Sequence, residues 1–156
     1  MNVHGDLHHH HLGYGLDGPG EIHVTLLYLA LALSGGGTEE IVKTLEAVLA
    51  RDPDHPGANH YYIHAIEASP NPDKGSASAD RLKTLAPGAG HLVHMPAHIF
   101  IRTGNYKGAM EANEHAARID EAYIAKTKAE GVYPMMYYTH NLSFLSTAAA
   151  MAGRSR

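Results

Sequence analysis

The chain of 156 residues contains no cysteine and no tryptophan, and only two phenylalanines. Without cysteine there is no disulfide frame, no thiolate nucleophile and no thiolate ligand for a metal. Long apolar runs are missing too. The longest, Val24 to Leu33, carries Thr25 and stops well short of the about 18 residues a membrane span requires. Charged side chains make up 18% of the chain, against roughly a quarter in an average globular protein. Their balance is acidic, with a net charge of −4, which argues against a nucleic-acid binder. No Gly-rich phosphate loop, nucleophile elbow, HExxH motif or dinucleotide fingerprint occurs, so no nucleotide cofactor is expected. Strand-type alternation is absent throughout.

What the chain does have is 44% apolar residues and 14 histidines. The apolar content rules out disorder over the whole length, and this size buries about two-thirds of the unfolded surface. Residues 1–20 hold five glycines and five histidines, four of them in the run His8 to His11, with no helical or strand period. They read as a flexible arm. A basic segment followed by an apolar core is not seen there, so no signal peptide is expected and a cytoplasmic, soluble protein is favoured.

From residue 21 on, amphipathic helices alternate with short breakers. Helices are expected at Glu21–Leu33, Thr38–Arg51, Ala58–Ala68, Ser76–Ala86, within His91–Thr103, from Tyr106 towards Ala129, and at Pro134–Ala152. The fold class is all-α. Pro96 interrupts the fifth helix, either as a kink in mid-helix or as the first residue of a helix that leaves His91 and His94 on an extended entry segment.

A repeat runs through these helices. With residue 90 as the first position of a 34-residue unit, Ala97, Phe100, Gly104, Tyr106, Ala109 and Ala116 fall at positions 8, 11, 15, 17, 20 and 27. One unit earlier, Ile63 and Ile66 take first-helix packing positions and Pro87 takes position 32; one unit before that, Leu29, Gly36 and Pro53 take positions 8, 15 and 32. This pattern resembles the tetratricopeptide-repeat (TPR) superfamily over residues 21–123. HPGANHYYIHAIEAS and GHLVHMPAHIFIRTGNY are similar to a histidine-bearing bacterial subset of it. The resemblance implies a short right-handed α-solenoid with units at 22–55, 56–89 and 90–123 and a final helix at 134–152. It also implies a concave groove, lined by the first helix of each unit, that takes a protein, a peptide or a small ligand.

The frame puts the histidines on that groove. His60 and His64 are four residues apart, as are His94 and His98, and the pairs are 34 residues apart. They occupy positions 5 and 9, with His91 at position 2 and Glu67 at position 12, spacings that share one helical face. First helices of neighbouring units pack about 8–10 Å apart. His60, His64, His94, His98 and His91 are therefore expected to converge, with Glu67 and Arg102 around them. His23 and His140 take position 2 of the outer units, the latter if a longer loop precedes it. The carboxylate clamp of the superfamily uses Lys, Arg and Asn where this chain has imidazole, which leaves peptide-terminus binding without its usual groups.

Nitrogen-rich clusters of this kind suit Zn²⁺, Cu²⁺, Ni²⁺ or Fe²⁺ rather than Ca²⁺ or Mg²⁺. The alternative is a metal-free polar groove of neutral imidazoles. Function therefore reads as a binding or scaffold protein with a histidine-bound transition metal. Two alternatives stand beside it. One is a metal-dependent hydrolase or oxygenase with Glu67 as proton carrier, an outer-sphere partner or solvated carboxylate being its other possible roles. The other is a self-assembling subunit, because the first and last helices are apolar all round; Leu26, Phe144 and Leu145 would carry the contact. Met135 and Met136 are expected in the core, His115 on the surface, and one ring of each pair Tyr61/Tyr62 and Tyr137/Tyr138 in the core.

Overall fold

The computed structural model describes residues 38–154. The arm at 1–20 and the helix at 21–33, and with them His23 and Leu26, lie outside the described residues. Within them the chain is all helical: α1 (Thr38–Arg51), α2 (Pro56–Ile66), a 3₁₀ turn (Pro72–Gly75), α3 (Ser76–Leu85), α4 (Gly90–His94), α5 (Pro96–Arg102), α6 (Tyr106–Thr127), a π-helical turn (Tyr133–Tyr138) and α7 (Thr139–Met151). Among the described residues no helix is long and apolar enough to cross a membrane.

Local chemistry sets most boundaries. Glu39 and Glu40 open α1 and Arg51 closes it, each sign matched to the helix dipole. The Nδ1 of His55 caps α2 by accepting the Ala58 amide at 3.1 Å, with Pro56 in the first turn. Asn105 caps α6 through the Gly108 amide at 3.0 Å, and Lys128 in a left-handed conformation ends it. Gly104, at φ 81°, makes the turn between α5 and α6, a conformation a side chain would strain.

Order in space follows order in sequence. α1 packs on α2, α2 on α3, α3 on α5, both α4 and α5 on α6, and α6 on α7. One core joins Ile41 and Leu45 of α1 to Tyr62, Ile63 and Ile66 of α2, Leu82 of α3, and Met95 and Ile99. A second joins Ala97, Ala109, Met110 and Ala148, flanked by Phe144 and Leu145. Ala97, Ala109 and Ala116, the small positions of the repeat pattern, are fully buried; their size lets α5, α6 and α7 approach closely.

Pro96 opens α5 from its first turn without straightening the residues before it. Met95 keeps helical angles (φ −50°, ψ −36°), so α4 and α5 follow one interrupted track, and His91 and His94 lie in a helical turn. The extended entry segment does not form. Proline lacks the amide that would continue the ladder, and the His98 amide reaches only three residues back, to Met95, at 3.2 Å.

The expected core methionines need correcting. Met135 and Met136 are exposed, at 72% and 63%. The π-helical turn directs Tyr133 inward instead, its hydroxyl donating to Asp120 at 2.8 Å. Tyr137 stays exposed at 41%, with its ring 5.2 Å from that of His91, so neither ring of the Tyr137/Tyr138 pair enters the core. The methionines are left on the outer side.

Asp120 ties this end together. It is fully buried, accepts from Tyr133 and from Asn141 Nδ2 at 2.7 Å, and lies against Gly90. Burial raises its pKa, although both hydrogen bonds favour the charged form. A Cβ at Gly90 would overlap the carboxylate. Gly90→Ala should therefore destabilise the protein by roughly 2–3 kcal/mol, through displaced packing and lost hydrogen bonds. Thermal unfolding checks it; an unchanged midpoint would show that Asp120 moves aside at no cost.

Candidate metal centre

Six imidazoles gather where α2, α4, α5 and α7 meet. His60 and His64 come from α2, His91 and His94 from α4, His98 from α5 and His140 from the start of α7. Their nitrogens sort into two triads, His60/His64/His91 and His94/His98/His140, with ligand atoms in each within 4.8 Å of one another. Each triad is an i, i+4 pair closed by a histidine from a later helix. The triads abut: the rings of His64 and His98 are 4.9 Å apart and those of His91 and His94 are 5.7 Å apart.

Four of the five expected metal ligands thus split between two groups, and His91 joins the first. His140, expected only as a groove residue, completes the second. Arg102 is exposed at the end of α5 and stays outside both groups. Phe144 is half-buried, its ring 4.4 Å from that of His98 and 4.8 Å from those of His94 and His140. Leu145 packs on the second core. His115 is exposed, as expected. Tyr62 is the buried member of its pair and donates to Glu46 at 3.0 Å, while Tyr61 stacks on His60.

Glu67, one residue past α2, links the triads. Its Oε1 accepts from His64 Nδ1 at 2.9 Å and its Oε2 from His98 Nδ1 at 2.5 Å. Burial works against its charge, but the hydrogen bonds from His64 and His98 prevail and hold its pKa at about 2. Glu67 is therefore an anion at neutral pH with both oxygens in use.

The outer partners fix which nitrogens carry protons. Asn113, fully buried on α6, donates through Nδ2 to the Ala109 carbonyl at 2.8 Å. That orients its Oδ1 towards His94 Nδ1, 2.7 Å away, which must then be the N–H. His98 likewise donates from Nδ1 to Glu67. In their neutral forms both rings present bare lone pairs at Nε2, and these two atoms face each other at 2.9 Å. Two lone pairs at that distance repel unless a cation sits with them, either a proton or a metal ion. Nitrogens around a tetrahedral Zn²⁺ at ~2.05 Å would be roughly 3.3 Å apart. The Nε2 atoms of His60 and His91 are 3.2 Å apart.

A proton is disfavoured on His94, His60 and His91, although one on His98 Nε2, across the ring from the Glu67 carboxylate, would also satisfy the pair. Burial and then the neighbouring imidazoles lower the pKa of His94 to about 2, of His60 to about 3 and of His91 to about 4. His140 is lowered for the same reasons. His91 Nδ1 is buried with no hydrogen-bond partner, a cost the fold carries at this spot. Neutral imidazoles with orienting partners and converging lone pairs are the donor set of a borderline metal ion.

No known family model matches this chain, nor does any curated protein or any solved structure.

Proposed function

We propose that this protein binds a transition metal through the histidine cluster, on a TPR-like solenoid whose concave face carries the site. The observation that carries the reading is the pair of inward Nε2 atoms of His94 and His98, set by Asn113 and Glu67. Carboxylate–histidine–metal arrangements use an outer carboxylate in this way, to fix the tautomer and raise ligand basicity. A metal-free polar groove would also give each bare Nε2 a donor, and between two neutral rings the facing Nε2 atoms of His94 and His98 have none. The sequential packing of the helices supports the solenoid, and the groove it forms is where a protein, peptide or small ligand would meet the ion.

The hydrolase reading has less behind it. It needs a free base, and both oxygens of Glu67 are committed to His64 and His98. Glu67 is an outer-sphere partner here.

Metal analysis tests the proposal. Full-length protein with His8 to His11 changed to alanine, purified without an immobilised-metal column, should take up at least one equivalent of Zn²⁺ or copper at micromolar concentration. Absence of any stoichiometric metal would defeat it.

A further inference from the structure

Resting on that reading, we infer that the cluster is a dinuclear centre: two three-histidine sites side by side that both fill with monovalent copper. The two triads carry the number of ions. Each has three nitrogens within 4.8 Å, a complete set for a three-coordinate ion, and the two have no histidine in common; a third group, His64, Glu67 and His98, bridges them through the carboxylate. Each is built on the same plan, a pair at i, i+4 closed by a histidine from further along the chain. The plan occurs once at His60, His64 and His91 and again at His94, His98 and His140, offset by 34 residues between the pairs. One ion served by all six rings would need ligands drawn from beyond its own triad.

Charge carries the identity of the ion. All six ligands are neutral, and among the described residues Glu67 is the one carboxylate hydrogen-bonded to these rings. Two divalent ions against one carboxylate would leave about three positive charges unbalanced in a partly buried site, where desolvation of charge is costly. Two monovalent ions would leave about one. Glu67 also touches a ligand of each triad, so its single negative charge is shared between both sites. Cu⁺ accepts three imidazoles with no fourth ligand, whereas each Zn²⁺ would add a water or an anion to complete its shell.

Competition titration decides this. The full-length chain with His8 to His11 changed to alanine is titrated anaerobically with Cu⁺ against bicinchoninate, and separately with Zn²⁺ against a chromophoric chelator. The expected result is two equivalents of tightly held Cu⁺ and no more than one of Zn²⁺. His60→Ala and His140→Ala should each retain one equivalent of Cu⁺, since each opens a different triad. Glu67→Gln should weaken both sites, by roughly 10–100-fold. A single Cu⁺ in the parent protein, or complete loss in either single variant, would overturn the dinuclear centre while leaving metal binding in place. Two Zn²⁺ held as tightly as two Cu⁺ would overturn the charge argument. No metal of either kind would remove the proposed function itself. Helical circular dichroism accompanies every titration, and His60→Asn and His140→Asn replace any alanine variant that unfolds.

Discussion

Full-length protein with both His64 and His98 changed to alanine should keep its helices and hold no transition metal at micromolar concentration. The double change takes one ligand from each triad and strips Glu67 of both hydrogen-bond donors, so neither site keeps its ligands or its orienting carboxylate. Zinc-binding free energies of ~10–16 kcal/mol spread over four ligands give a few kcal/mol per ligand. Losing one therefore weakens a site by more than about a hundred-fold. His98 is 5% exposed, and its removal opens space beside Phe144, for which a loss of about 2 kcal/mol in stability is expected. Metal analysis together with circular dichroism reads both effects. Stoichiometric metal in a folded double variant would show that these rings are not ligands.

Lowering the pH from 7.5 to 5.5 should reduce the melting temperature of the metal-free protein by on the order of 10 °C. In the unfolded chain an imidazole titrates near ~6.5, whereas His60, His91 and His94 titrate at about 3, 4 and 2 in the fold. For a base whose folded pKa is depressed, the unfolded state takes up protons first. The stability linked to these three is therefore complete above about pH 6.5 and declines as the pH falls towards the folded values. By pH 5.5 each contributes a loss on the order of 1 kcal/mol, and ~2–4 °C per kcal/mol applies to a chain of this size. Glu67 has the opposite sign and another window: its contribution is present above its ordinary 4.5 and fades only as pH falls towards about 2. It does not offset the histidines between pH 7.5 and 5.5. A midpoint that stays level across that range would show that the imidazoles protonate freely within the folded protein. Bound metal requires the same neutral rings, so its affinity declines in the same direction.

The helices were legible because breakers such as Asp52–Pro53, Pro70–Asn71–Pro72 and Pro87–Gly88 bracket them, and helix-period apolar residues lie between. His60, His64, His94 and His98 could be placed together from a single fact, their 34-residue offset. His140 was harder, because α6 runs to Thr127 and a π-helical turn follows, so its distance from His98 departs from the period. Asn113 and Asp120 escaped notice. Each is a polar residue on the buried, alanine-rich face of α6, and that mismatch with Ala109, Ala116 and Ala117 was the available signal. The position of Glu67 on the histidine-bearing face was legible, but its double grip was not, since it depends on how α2 sits beside α5. The contact of Phe144 with the histidines was not legible because α7 is apolar on several sides, and periodicity then cannot say which side faces inward.

The placement of Phe144 and His140 has a kinetic consequence. α7 is the element laid over the second triad, with its backbone packed on α6 and the π-helical turn. His94 and His98, at 0% and 5% exposure, lie beneath it. Any solute that reaches their inner nitrogens from this side must wait for α7 to lift, a motion that also carries one of the three ligands away. Uptake and release at the second triad are thereby tied to the local opening rate of one helix, while the half-exposed first triad exchanges at the pace of its own side chains. Two neighbouring sites of like composition would then differ in residence time rather than in chemistry.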